Sequence, residues 1–99
     1  MSIKTSVIEK SKIKIKEPKK YKVIMHNDDF TSMEFVVFVL MNIFNKNNND
    51  AVNIMMTVHK GGKAVVGVYS YDIAKSKVEK TTVLAKEEGF PFKLSIEES

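Results

Sequence analysis

The 99-residue chain suffices for one domain with a modest core, and its 43% hydrophobic and 28% charged residues are those of an ordinary globular protein. It has no cysteine, which excludes a disulfide framework and a thiolate zinc site, and its two histidines are too few for a histidine-rich metal site. The formal charge of +4 is unevenly placed: residues 1–20 hold seven lysines and two glutamates, a net of +5, while residues 21–99 hold nine lysines and ten acids, a net of −1.

No apolar run approaches the roughly 20 residues of a membrane span, the longest being Phe35 to Met41. Residues 1–20 lack the apolar core of a secretory signal, so the protein is expected in the cytoplasm. Every basic residue is a lysine. Arginine is the favoured side chain for bidentate base and phosphate contacts, so its absence argues against sequence-specific nucleic-acid recognition. A lysine-rich tail could still hold polyanions loosely, and that binding would collapse with salt.

Residues 1–20 read as a flexible basic extension ahead of a domain spanning 21–99. Within the extension, Lys12 to Lys16 alternates K-I-K-I-K. This strand-like pattern has no turn partner and is bounded by Glu17-Pro18, so it is expected to order only on a partner. Tyr21 to His26, a run of aromatic, β-branched and apolar residues, reads as the first strand.

The next stretch, His26-Asn27-Asp28-Asp29-Phe30-Thr31-Ser32-Met33-Glu34-Phe35, changes from polar loop to helix within a few residues. Thr31 and Glu34 have capping-box spacing, and Phe30 and Phe35 then have the spacing of a hydrophobic staple. Asp28 and Asp29 lie just before the helix, where its dipole favours negative charge. They either assist the cap alone, or Asn27 and Asp28 present polar groups to a ligand at the edge of an apolar site.

The first helix is expected from Ser32 to about Asn45. Val36, Leu40, Ile43 and Phe44 form one apolar stripe, yet Phe35, Val37, Phe38, Val39 and Met41 are apolar too. A helix apolar all round in so small a domain should leave one face lining an exposed groove. The second helix, capped by Asn49 or Asp50, is expected over Ala51 to Lys60, ending at Gly61-Gly62. Ala51, Ile54, Met55 and Val58 form its stripe, and His59 neighbours Met55 on its surface.

Lys63 to Ser70 reads as the second strand, Tyr71 to Glu88 as the third helix, and Phe92 to Glu97 as a strand alternating apolar and polar residues. The order β-α-α-β-α-β implies an α/β (α+β) two-layer sandwich: a three-stranded antiparallel sheet packed against three helices. For catalysis, Asp28, Asp29 and His59 could form an acid/base pair or a weak metal site. No serine or cysteine sits in a nucleophile motif, however, and no glycine-rich phosphate loop precedes a helix. The protein is therefore not expected to be an enzyme, and no cofactor or metal is implied.

Three blocks carry a resemblance. N-D-D-F-T-S-M-E-F-V at 27–36, M-M-T-V-H-K-G-G-K-A at 55–64 and G-V-Y-S-Y-D-I-A-K-S-K at 67–77 resemble the ClpS family, adaptors of the Clp protease. The likeness spans roughly residues 21–97. It implies an N-degron adaptor that binds substrates by a bulky hydrophobic N-terminal residue (Phe, Leu, Tyr or Trp) and delivers them to a Clp-family AAA+ unfoldase. It further implies that Asn27, Asp28 and His59 hold the α-amino group, and that Thr31, Met33, Val36, Met55, Val58 and Phe92 form the side-chain pocket. An α-ammonium offers three donors, which a carboxylate, an amide carbonyl and a neutral imidazole nitrogen can accept.

Phe30, Asp72 and Lys77 resemble the family's docking surface for the unfoldase's N-terminal domain, and the tail resembles an arm that enters the unfoldase pore. The protein is expected to be monomeric, without membrane or specific nucleic-acid partners. The sequence departs from the usual pattern at Ser32 (often proline), Phe92 (commonly leucine), Asp72 (glutamate) and Lys75 (an acid). The alternative is an interaction module without N-degron binding, since ribosomal stalk proteins share this sandwich and fold alone does not fix function.

Overall fold

The computed structural model of the protein describes residues 18–99. The Lys12–Lys16 alternation lies outside the described residues, as does the rest of 1–17.

Strand β1, Tyr21–His26, is the centre of a three-stranded sheet of order β2-β1-β3, with β2 at Lys63–Tyr69 and β3 at Lys93–Glu98. Both neighbours run antiparallel to it. The alternation of side chains along a strand explains the assignment. Val23 and Met25 have no exposure and pair across to Ile96 and Leu94, so one pleat of the sheet is apolar and meets the helices. On the other face, His26 Nε2 lies 2.7 Å from Ser95 Oγ.

The register between β1 and β2 slips by one residue: Val23 pairs with Gly67 and Ile24 with Val65. The slip is a β-bulge that leaves Val66 buried while Val65 and Val68 are about half exposed. Gly67 lets the Tyr69 ring lie against the strand backbone, since a Cβ at that position would push the ring and its hydroxyl aside. The strand is therefore less continuously buried than its apolar run suggests.

Three helices cover the inner face: α1 at Met33–Asn42, α2 at Asn48–Gly61 and α3 at Tyr71–Glu88. In α1, Phe35, Val36, Val39 and Leu40 are buried and belong to the core, so that stripe of the helix faces inward. It stops earlier than periodicity implies because Asn45 turns left-handed (φ 58°) and Lys46 N–H folds back to Leu40 O at 2.9 Å. Asn47 rather than Asn49 or Asp50 caps α2, its side-chain oxygen accepting the Asp50 N–H at 2.8 Å. In a run of three asparagines any could cap, and the one after the tight α1 turn does. Gly62, with φ 92°, ends α2 by donating its N–H to Val58 O.

The start of α1 also differs from the expected capping box. Asp28 accepts both the backbone N–H and the hydroxyl of Thr31, so Thr31 closes the aspartate turn instead of capping the helix. Ser32 becomes the N-cap, its Oγ accepting the Phe35 N–H at 3.1 Å. Nor is the staple formed: Phe30 is 74% exposed, and Phe35 packs edge-on against Phe90 and Phe92.

Candidate functional site

The loop leaving β1 is pinned by one backbone hydrogen bond, from Asn27 N–H to Gly62 O at 2.8 Å. That bond brings residues 27–31 beside the last turn of α2, which carries His59. Two segments distant in sequence therefore face each other because a glycine cap and a strand end share a peptide contact.

Asp28 is oriented by its own loop. Its Oδ1 accepts the N–H groups of Phe30 and Thr31 at 2.8 and 2.7 Å, and its Oδ2 accepts the Thr31 hydroxyl at 2.7 Å. Partial burial pushes the carboxyl pKa up, but the hydrogen bonds from Thr31 and Phe30 outweigh this and hold it below the ordinary 3.8. Asp28 is thus a fixed anion at neutral pH, whereas Asp29 is exposed and has no such cradle.

These groups stand at a cavity of about 220 Å³ between the start of α1 and the end of α2. Asn27, Asp28, Asp29, Thr31 and His59 form its polar part, and Met33, Val36, Met55 and Val58 its apolar part. Val36, Met55 and Val58 belong to the hydrophobic core, so that wall is rigid; Met33 is 43% exposed and stands free. Every residue that the sequence singles out for the amine site or the pocket meets here, with one exception. Phe92 is 6% exposed, stacks edge-on with Phe35 at 6.1 Å, and does not line the cavity.

Acceptors beside an apolar recess suit a ligand with a cationic head and an apolar side chain. Of the residues likened to a docking surface, Phe30 and Asp72 are exposed. The Lys77 ammonium is engaged within the fold: it donates to Ile43 O at 2.7 Å, closing the end of α1, and lies over the Phe44 and Tyr69 rings at 5.7 and 5.5 Å. A second, wider opening of about 450 Å³ lies on the opposite flank of α1, lined by Phe35, Phe38, Leu84 and Phe90 with Glu34 and Glu88. Its larger size does not make it the peptide site: its polar lining is Ser32, whose Oγ is engaged as the α1 cap, with Glu34 and Glu88, and it lacks the amide, imidazole and cradled carboxylate of the first recess. Sequence periodicity pointed to a groove on α1 without locating this one, which requires the α1–α3 packing.

A three-stranded sheet under three helices, with a recess of mixed polar and apolar lining at one helix start, defines a small α+β binding module. The family model described as "ATP-dependent Clp protease adaptor protein ClpS" matches residues 16–95. A ClpS adapter of Clostridium acetobutylicum is 52% identical over 100 residues, covering 99% of each chain. That of Acetivibrio thermocellus is 50% identical over 91 residues, covering 92% of each. Among solved structures, Agrobacterium tumefaciens ClpS2 bound to L-phenylalaninamide superposes with a TM-score of 0.81 at 43% identity, covering 84% of this chain and 100% of that one. The chain belongs to the ClpS family, the non-catalytic adaptors of the Clp protease. Among the described residues no helix is long and apolar enough to cross a membrane.

Proposed function

We propose that the protein is an N-degron adaptor: it binds the free N-terminus of substrates that begin with Phe, Leu, Tyr or Trp and delivers them to a Clp-family AAA+ unfoldase. The observation that carries this reading is the single cavity in which Asn27, Asp28 and His59 meet Met33, Val36, Met55 and Val58. The Agrobacterium relative's ligand, L-phenylalaninamide, has the corresponding chemistry, an α-amino group beside a benzyl side chain.

In this reading the fixed Asp28 carboxylate, the Asn27 carbonyl and the His59 ring nitrogen each accept one N–H of the α-ammonium. Charge-assisted hydrogen bonds of this kind are stronger than neutral ones. The side chain then enters between Met33, Thr31 and the core residues Val36, Met55 and Val58. Met33 is the adjustable wall, because a thioether on an unbranched stem fits several shapes. Phe92 packs on Phe35, which lines the opposite opening, so it is given no contact with the ligand.

Docking to the unfoldase's N-terminal domain is assigned to Phe30 and Asp72, with Lys77 contributing a fixed positive charge rather than a mobile arm. The protein works as a monomer in the cytoplasm, and residues 1–20 form an extension that engages the unfoldase pore. Degradation of a Phe-headed reporter by the cognate Clp complex tests the reading. It should require the adaptor, and a Met-Gly-headed reporter should not respond. Adaptor-independent degradation of the Phe-headed reporter would count against the proposal.

A further inference from the structure

On the flank away from Asp28 and His59, α1 runs against α3 and leaves an open apolar trough. Two cavities of about 450 Å³ each lie along it and share Leu84. Phe38 and Phe90 floor one end with Leu84, and Ile43 and Val83 floor the other. Phe38 and Val83 are 50% and 57% exposed, so this surface is poorly covered by the domain itself. The rim is acidic: Glu34 and Glu88 stand at one end, Glu79 and Glu87 at the other, with Lys80 the only cation among the described residues that line either cavity. The arrangement follows from helical spacing, since Glu79, Val83 and Glu87 make one row on α3 and Lys80, Leu84 and Glu88 the next.

An apolar floor between carboxylates fits a segment that alternates apolar and cationic side chains. The chain itself carries one. Lys12 to Lys16 reads K-I-K-I-K, and residues 1–17 hold five lysines and two glutamates, a net of +3. In extended backbone the isoleucines and lysines fall on opposite sides.

The point where this segment joins the domain is fixed. Lys19 Nζ lies 3.4 Å from Glu98 Oε2, and the Ser99 N–H donates to Lys20 O at 2.8 Å. The Tyr21 ring meets Tyr71, the first residue of α3, edge-on at 5.2 Å. From there Glu79 lies about 12 Å and Glu88 about 26 Å along the helix, at 1.5 Å per residue. At about 3.3 Å per extended residue, Ile15 and Ile13 reach the Ile43–Val83 end, and Ile8 and Val7 reach the Phe38–Phe90 end.

We infer that residues 3–16 dock on their own domain along the α1–α3 trough, isoleucines on the apolar floor and lysines against Glu79, Glu87, Glu88 and Glu34. The contact is intramolecular, so a weak intrinsic affinity suffices at the high effective concentration of a short tether. It stores the tail on the domain without covering the peptide cavity, because the two openings lie on different flanks of α1. It does not depend on N-degron binding.

The absence of cysteine makes the test clean, since Ser11→Cys places one nitroxide on the tail of the full chain. In NMR spectra, Phe38, Val83 and Leu84 should broaden strongly while Asn27 and His59 stay sharp. Raising salt from about 0.01 to about 1 M shortens the screening length from about 30 to about 3 Å and should abolish the broadening. Replacing three exposed rim residues (Glu79→Lys, Glu87→Lys, Glu88→Lys) should abolish it at low salt, and Val83→Asn should weaken it without altering the charge of the rim. A sample mixing spin-labelled, NMR-silent chains with unlabelled visible ones should show no broadening. Broadening in that mixed sample would make a second copy the occupant and overturn docking in cis. Even relaxation over the whole surface, or none on α3, would overturn the contact altogether.

Discussion

The two flanks of α1 carry similar apolar side chains to different ends. On one, Met33 and Val36 wall a recess of about 220 Å³ whose mouth holds a carboxylate cradled by three hydrogen bonds. On the other, Phe35 and Phe38 line an opening of about 450 Å³ edged by glutamates on exposed helix positions. Apolar lining alone distinguishes neither. The first flank is built to place a charge at a defined point, because Asp28 cannot turn without breaking bonds to Thr31 and Phe30. The second fixes only the sign of the charge, because its carboxylates swing freely on long side chains. The difference separates selection of one chemical group from tolerance of any basic, apolar segment.

The largest effect should come from the structure both flanks share. Leu40 is fully buried in α1, and Leu40→Ala should cost about 3 kcal/mol in urea unfolding through lost burial and a cavity. Both openings should lose definition together in that variant. A loss confined to one flank would show that α1 does not support the two jointly.

Asp28→Ala comes next and acts on one flank only. It should weaken binding of a Phe-headed peptide by about 1.5–3 kcal/mol, the range for hydrogen bonds to charged groups, while Asp29→Ala changes it little. Fluorescence anisotropy decides the ranking, and an equal loss in the two variants would remove the special role of the cradled carboxylate. Phe38→Ala, on the opposite flank, should leave the same affinity unchanged.

Met33→Ala should change selectivity more than strength. Removing the free wall should admit β-branched N-terminal residues, narrowing the gap between Phe-headed and Ile-headed peptides by about 1–2 kcal/mol. An unaltered gap would place the steric wall elsewhere. Ser32→Ala, which removes the N-cap of α1, should cost about 1 kcal/mol of stability.

Acid should report on the cradle with a defined sign. The folded pKa of Asp28 is below 3.8, so its ionised form stabilises the fold; that contribution is complete above pH 3.8 and fades as pH falls through the lower, folded value. The stability gap between the wild type and Asp28→Asn should therefore be constant at higher pH and shrink only in strong acid. A gap that changed near neutrality would implicate another group.

Much of this was readable in one dimension. Tyr21–His26 and Tyr71–Glu88 are bounded where strand propensity and helical spacing put them, and the order of elements implied the two-layer sandwich. The candidate cavity was legible to the extent that its residues lie in two short blocks, 27–36 and 55–59, that carry the family likeness. Local chemistry was misread where two hydroxyls compete. Thr31 and Ser32 can each cap a helix, and only the folded loop reveals that Asp28 claims Thr31. Lys77 was similarly ambiguous, since a surface-like lysine reaches Ile43 O only after α1 and α3 pack. Phe92 extends the inward alternation of the strand that begins at Lys93, but that it packs on Phe35, on the flank away from the cavity, appears only once sheet and helices meet.

The most direct measurement is a pair of NMR titrations of the full chain, with a Phe-headed peptide and with the same peptide N-acetylated. Recognition of the α-ammonium predicts that the free peptide shifts Asn27, Asp28, Met33 and His59, leaves Phe38, Val83 and Leu84 in place, and binds far more tightly than its acetylated twin. Acetylation removes the charge and sets a carbonyl against acceptors, a loss of roughly 1–3 kcal/mol or more. Equal affinity for the two peptides, or shifts centred on the α1–α3 flank, would contradict the assignment.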